Sequence, residues 1–217
     1  MTVAYLVNLQ LKGRLAVVVG GGRVAVRKAR KLLDGGARVK VVAPEAEGEL
    51  RLLAAEGRIA LENRPYAPGD LAGAFLAIAC TSDEAVNAAV SAEARRLGIL
   101  VNVADRPALC TFTLPAVVRR GDLTLAVATD GRCPALSRAL REELERSYGE
   151  EYGALTELMG RLRDRLMAEG RPYGAVQKAL EAVYRGGAVR LLAAGDGEGL
   201  SALVREACGF EWGQGPG

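Results

Sequence analysis

One stretch restricts what this chain can fold into more than any other: LAVVVGGGRVAVR, residues 15–27. Leu15–Val19 is a short unbroken apolar run, mostly β-branched, which suits a strand buried on both faces. Gly20, Gly22 and Ala25 follow at the spacing G-x-G-x-x-[GA]. The first glycine permits a tight turn, the second lets backbone approach a pyrophosphate, and a small third residue lets helix pack on strand. The next helix, Val24 to Leu33, would aim free N–H groups and a partial positive charge at the same point, with Arg23 and Val24 at its mouth. A bare glycine-rich turn is the plain alternative. The strand before the glycines and the helix after them argue for the phosphate cradle.

The rest of the composition narrows the class. At 217 residues there is room for one large domain, or a medium one with an appendage. Half of the residues are hydrophobic and a quarter charged, as in ordinary globular proteins. A net charge of +3, without basic runs interleaved with aromatics, gives no reason to expect nucleic acid. No apolar run is long enough for a membrane span, and MTVAYLVNLQLKGR lacks the marks of a signal peptide, so a cytoplasmic protein is expected. The four cysteines, Cys80, Cys110, Cys133 and Cys208, form no C-x-x-C pair and read mostly as small buried apolar residues. Histidine is absent. That removes Ser-His-Asp and Cys-His catalysis and the commonest metal ligand, so proton transfer falls to Asp, Glu, Lys, Tyr or Cys.

Taken in order, the chain opens on an apolar lead-in with an edge segment at Tyr5–Leu9. In the first helix Val26, Ala29, Leu32 and Leu33 face the sheet, and Gly35 and Gly36 end it. A second strand, Val39–Val42, completes a βαβ unit. The acid that often grips the adenosine ribose after that strand is missing: the chain reads Val42-Ala43-Pro44-Glu45. A dinucleotide would then be held through the backbone at Ala43 and Pro44, with NAD mildly favoured over NADP. A helix at Glu47–Glu56 and strands at Ile59–Leu61, Ala74–Ala79 and Leu100–Val103 follow, with a helix at Glu84–Leu97 between the last two. In a doubly wound parallel sheet ligands sit beyond the carboxyl ends of the strands, which puts Thr81 at the cofactor. Ser82 or Asp83 would cap the next helix. After Pro107 the alternation stops. Phe112–Val118 and Leu123–Ala128 read as strands joined by a hairpin turn at Arg119–Asp122. Helices then run over Pro134–Arg146, with a stripe of Leu136, Leu140 and Leu144, over the Leu155–Leu166 region, and over Pro172–Tyr184. The glycine-rich remainder holds short helical pieces near Val189 and Leu200 and a frayed end at Gly213–Gly217.

Five segments resemble one family: VVVGGGRVAVRKARKLL at 17–33, AIACTSDEAVN at 77–87, VNVADRP at 101–107, FTLPAVVRRGDLTLAVATDG at 112–131 and PALSRALREELE at 134–145. The chain is similar over about residues 1–170 to the precorrin-2 dehydrogenase and sirohydrochlorin ferrochelatase family, the dehydrogenase-type domain of siroheme synthase. The resemblance implies an α/β fold in three parts: an NAD-binding Rossmann domain at 1–111, a dimerisation segment of hairpin plus helix at 112–146, and a helical C-terminal domain at 147–217. It implies a homodimer whose hairpin strands pair across the interface, covering edges that would otherwise invite aggregation. The active cleft would lie between the Rossmann domain and that interface.

The implied reaction takes precorrin-2 and NAD to sirohydrochlorin and NADH, with ferrochelation of sirohydrochlorin by Fe²⁺ as a further activity. Asp105 matches the family's catalytic aspartate and is the expected general base. Burial would have to raise its pKa for efficient work near neutrality, and Arg106 beside it would push the other way unless turned outward. A turn-forming aspartate before Arg-Pro is the bland alternative. A polycarboxylate substrate calls for arginine, which binds carboxylates in a fork. Arg119, Arg120 and Arg138, with Arg132 and Arg141 near them, are the candidates; a solvated helix face or dimer salt bridges are the plain reading of any one. Thr129 matches a hydroxyl in the family's substrate loop, although Thr129-Asp130-Gly131 departs from the Ser-Gly-Gly of some relatives. No resident metal is expected. A non-catalytic NAD-binding regulatory module, or a dehydrogenase of another acidic small molecule, are the competing classes.

Overall fold

The computed structural model describes residues 5–212. The chain forms two compact units, Met1–Leu114 and Pro115–Gly217.

The first unit is built on five parallel strands, β1 (Leu15–Val19), β2 (Arg38–Val42), β3 (Ile59–Glu62), β4 (Leu76–Ala79) and β5 (Leu100–Val103), in the order β3-β2-β1-β4-β5. Helices α1 (Arg23–Asp34), α2 (Gly48–Ala55) and α3 (Glu84–Leu97) cover the two faces. Alternate residues of β1 point to opposite faces. Ala16 and Val18 therefore join one core with Ala25, Ala29 and Leu32 of α1 and Leu50 and Leu53 of α2. Val17 and Val19 join the other with Val90 and Ala94 of α3 and Leu71. Each such valine, fully buried, contributes roughly 1.5–3 kcal/mol. An apolar run with no polar alternation is thus what the central strand of a two-faced sheet needs. The order reverses between β1 and β4, and a ligand crevice opens at such a reversal, beyond the strands' carboxyl ends.

β1, α3 and β5 have the bounds read from the sequence. For α3 the reason is local: the Asp83 carboxylate accepts hydrogen bonds from Ala85 N–H (2.8 Å) and Val86 N–H (3.2 Å), and Gly98 closes the helix at φ 69°.

Cys208 alone of the four cysteines is buried, Cys133 being exposed and Cys80 and Cys110 half-buried, and two strand expectations fail. Tyr5–Leu9 forms no strand, and Tyr5, Leu6 and Val7 stand exposed; the apolar residues there find no neighbouring strand to pair with. Phe112–Pro115 is not part of a hairpin strand either. After β5 the chain makes a 3₁₀ turn at Pro107–Leu109 and runs back along β5. Thr111 N–H donates to the Val101 carbonyl (2.8 Å), the Thr111 hydroxyl accepts from Val101 N–H (2.8 Å), and Asn102 Nδ2 donates to the Phe112 carbonyl (3.1 Å). The polar groups of 111 and 112 are used to seal the β5 edge, so no ladder begins there.

In the second unit β6 (Ala116–Arg120) and β7 (Leu123–Val127) pair antiparallel. Arg120 faces Leu123, which leaves a two-residue loop, Gly121-Asp122, with Gly121 at φ 52°. A positive φ at the first loop position is a place for glycine. Helices α4 (Pro134–Ser147), α5 (Glu151–Ala168), α6 (Tyr173–Arg185), α7 (Ala188–Ala194) and α8 (Gly197–Cys208) follow. Leu155, Leu158, Leu162 and Leu166 of α5 form one buried stripe against Val176 and Val183 of α6 and Val204 of α8. The glycine-rich region is more regular than its composition indicates. α8 runs twelve residues, opened by the Asp196 carboxylate accepting from Gly199 N–H (2.8 Å) and closed by Gly209 at φ 77°. Gly213–Gly217 lies outside the described residues. Among the described residues no helix is long and apolar enough to cross a membrane.

Candidate cofactor and substrate site

The glycine loop sits where β1 ends and α1 begins, at the reversal of strand order. Gly20 takes φ 126°, and a Cβ there would come within 2.8 Å of the Cys80 carbonyl at the end of β4. Gly21, which the motif spacing passes over, is the tightest point of all: a Cβ would lie 1.8 Å from the Glu45 carbonyl. Its own carbonyl accepts from Glu47 N–H (2.8 Å), so the loop after β1 is stitched to the loop after β2. Gly22 is different. It has an ordinary φ of −83°, and nothing lies within 4 Å of where its Cβ would be. Ala25 is fully buried against the sheet, as the spacing requires.

This cradle fits a dinucleotide. α1 has no side-chain cap and no acid in its first turn, so the N–H groups at Arg23 and Val24 keep their capacity for an anion. α3 shows the contrast, since Asp83 already satisfies its first donors. Ala43 is buried and Pro44 exposed at the end of β2, beside the stitched loop. Lys40 is not free to meet a phosphate, because it pairs with Glu62 (3.5 Å) and Asp70 (3.7 Å). Burial pushes the Cys80 thiol up to about 11, so it stays protonated beside the crevice.

Thr81 follows β4, and a residue that the motifs did not single out fixes it there. Asn87, buried on the first turns of α3, donates from Nδ2 to the Thr81 carbonyl (3.0 Å). Its Oδ1 accepts from Thr81 N–H (3.3 Å) and lies 3.0 Å from the Thr81 hydroxyl. A buried amide four places after an N-capping acid is the one signal the sequence carried for this.

Asp105 lies two residues past β5 at φ 57°, one of two non-glycine residues with positive φ among those described. Such a conformation costs of order 1 kcal/mol or more and is held only by its surroundings. Here the hold is Cys110, whose sulfur accepts from Val103 N–H (3.2 Å) and reaches the Val103 and Arg106 carbonyls (3.4 Å each). The Asp105 side chain is exposed rather than buried and makes no hydrogen bond or ion pair among the described residues. It lines a pocket of about 440 Å³ with Glu84, Asn87, Ala88, Arg106 and the 3₁₀ turn. Arg106 forms no ion pair with Asp105 among the described residues; its guanidinium pairs instead with Glu84, which lines the same pocket. The first unit thus brings the glycine loop, Thr81 and Asp105 to one end of the sheet, with Asn87 as the link.

In the second unit the expected substrate residues separate. Arg120 is a structural bracket: its guanidinium donates to the carbonyls of Tyr148 (2.9 Å), Glu145 (3.0 Å) and Arg119 (3.0 Å) and is largely hidden. It satisfies carbonyls at the C-terminal end of α4, so its donors are already engaged within its own unit. Arg138 pairs with Glu142 (3.1 Å) and Arg141 with Glu145 (2.6 Å) along α4, the solvated-face alternative. Arg119 and Arg132 are exposed and form no ion pair among the described residues. The Thr129 hydroxyl lies 3.0 Å from that of Ser137 and accepts from Cys133 N–H (3.2 Å), which caps α4.

Residues 7–116 match the model of a family described as "Putative NAD(P)-binding". The chain belongs to that family. Among curated relatives, the siroheme synthase of Pseudomonas paraeruginosa (strain DSM 24068 / PA7) is 50% identical over 156 residues, 72% of this chain and 34% of the relative. The siroheme synthase of Pseudomonas entomophila (strain L48) is 42% identical over 196 residues, 90% of this chain and 42% of the relative. The chain spans about a third to two fifths of the length of these relatives. Among solved structures it is similar to SirC, precorrin-2 dehydrogenase, with a TM-score of 0.78 and 27% identity, covering 95% of this chain and 100% of that one. The family named by the five motif segments is the one these comparisons return.

Proposed function

We propose that this chain oxidises precorrin-2 to sirohydrochlorin with NAD, in siroheme synthesis. The observation that carries the reading is Asp105: an exposed carboxylate with no hydrogen-bond or ion-pair partner among the described residues, on a strained turn at the end of β5, at the same end of the sheet as an uncapped helix N-terminus. The full-length likeness to SirC, precorrin-2 dehydrogenase supports it.

NAD, when bound, accepts a hydride. Gly22 and the N–H groups of Arg23 and Val24 would hold its pyrophosphate, with Ala43, Pro44 and Thr81 lining its path. Asp105 takes the proton. The substrate loses one hydride and one proton, and the electrons of the second C–H bond become the new double bond. With no histidine in the chain, a carboxylate open to solvent can pass that proton on to water. The same feature favours a second step. When Fe²⁺ enters sirohydrochlorin two pyrrole protons must leave, and Asp105 is the acceptor at hand. Among substrate contacts Arg119 retains free donors; Arg138 and Thr129 would have to exchange partners first.

Homodimerisation through the hairpin and α4 belongs to the same reading. A two-stranded ribbon is marginal alone, and Leu136 and Leu140 leave an apolar stripe exposed on α4. A reducing cytoplasm suits four free cysteines.

The test is NADH formation from enzymatically made precorrin-2, followed by Fe²⁺. Wild type should form NADH and then siroheme above the uncatalysed rate, and Asp105→Ala should abolish NADH formation while NAD affinity stays. Near-normal turnover by Asp105→Ala removes Asp105 from the mechanism. NAD binding without NADH from precorrin-2 would favour the regulatory module, and turnover of a smaller acid instead would favour the other dehydrogenase. Siroheme no faster than the uncatalysed rate ends the chelatase reading.

A further inference from the structure

Arg106 has no part in the reaction as described so far, yet it lines the Asp105 pocket, and its guanidinium pairs with Glu84, another residue of that lining. Its recorded ion-pair contact is made by Nη2, to Glu84 Oε1. No other side-chain hydrogen bond of Arg106 is formed among the described residues, so most of its five donors are free. Both partners of the pair are open to water, the Arg106 side chain 51% exposed and that of Glu84 73%. A pair so exposed contributes little and is readily exchanged. Glu84 also has a second reason to be where it is. It lies in the first turn of α3, where an acid is favoured by the helix dipole whether or not it is paired.

We propose that Arg106 is a carboxylate-binding residue of the substrate site, held over the pocket by Glu84 until a substrate carboxylate takes up its free donors. This deepens the reading of the site as a polycarboxylate oxidase and rests on it. The pocket, about 440 Å³, has room for an acidic arm of the substrate beside Asp105. That arm would be anchored one residue from Asp105, which fixes the distance between the carboxylate and the carbon that loses its proton. The two halves of the pair then act oppositely. Arg106 attracts the arm, and Glu84 competes with it for the same guanidinium. A purely structural salt bridge would make both losses harmful in the same direction.

The experiment is steady-state kinetics on precorrin-2, with sirohydrochlorin titrated by absorbance as a readout that needs no turnover. Arg106→Gln should raise KM for precorrin-2 and Kd for sirohydrochlorin about tenfold, the scale of one charge-assisted hydrogen-bonded contact. KM for NAD should not move. Arg106→Lys should recover part of the loss, and Glu84→Gln should lower KM and Kd. Unchanged KM and Kd in Arg106→Gln overturns the inference, as does a rise for Glu84→Gln equal to that for Arg106→Gln. If wild type binds sirohydrochlorin but forms no NADH, the oxidase reading fails while the Kd series still decides the arginine. If wild type binds no tetrapyrrole, both fall.

Discussion

Gly21 and Gly22 are adjacent and alike in composition, and they do opposite work. Gly21 lies against the backbone of Glu45 and Ala46, so it exists for packing. Gly22 faces open space at the mouth of α1, so it exists for whatever fills that space. Gly21→Ala should destabilise the protein by about 3 kcal/mol, since a backbone carbonyl must move aside; a denaturant titration measures it. Gly22→Asp should fold with unchanged or slightly raised stability, because aspartate is a good N-cap. Its NAD affinity should nonetheless fall more than tenfold by calorimetry, through repulsion of the pyrophosphate. Equal affinity would mean that the phosphates lie elsewhere. The motif spacing revealed Gly20, Gly22 and Ala25 because those roles recur in many chains. It did not reveal Gly21 or Asn87. Their partners, Glu45 and Thr81, are reached only through the path of a loop.

At the scale of elements, β1 and α3 could be read with their bounds because each carries its own punctuation: an unbroken apolar run ended by glycine for β1, an aspartate cap and a glycine stop for α3. Phe112–Pro115 could not, because its apolar and hydroxyl residues suit a strand equally well and only the proximity of β5 decides. The stripe on α4 was readable as a pattern but not as a surface. Leu136 and Leu140 prove 48% and 37% exposed, where the matching stripe on α5 is buried. If α4 carries the proposed dimer interface, Leu136→Glu with Leu140→Glu should convert the dimer to a monomer in light scattering. The helix content should stay intact, since neither side chain supports the fold of its own unit. A variant that remains dimeric would move the interface away from α4.

For the whole molecule, the acid limit of stability is set partly by the first unit's ion cluster. The Arg64 guanidinium, hydrogen-bonded to the nearly buried Asp70 (2.8 Å), holds that carboxyl down to about 2 from an ordinary 3.8. A lowered folded-state value stabilises above the unfolded pKa and is lost as pH falls through the folded one. The contribution, on the order of 2 kcal/mol, should be complete above about pH 4 and gone near pH 2. Urea midpoints of wild type and Asp70→Asn should accordingly converge across that window, and parallel curves would deny the pairing. Above it, Asp70→Asn should be the weaker protein.

The run from Cys110 to Phe112 has two duties, closing the last strand of the sheet with its main chain and bracing the Asp105 turn with a sulfur. Its length is therefore not adjustable. A residue inserted between Asp105 and Thr111 would put the brace out of step with the turn and uncover a bare strand margin at once. Loss of chemistry and a tendency to stick to other chains should arise together from that single change.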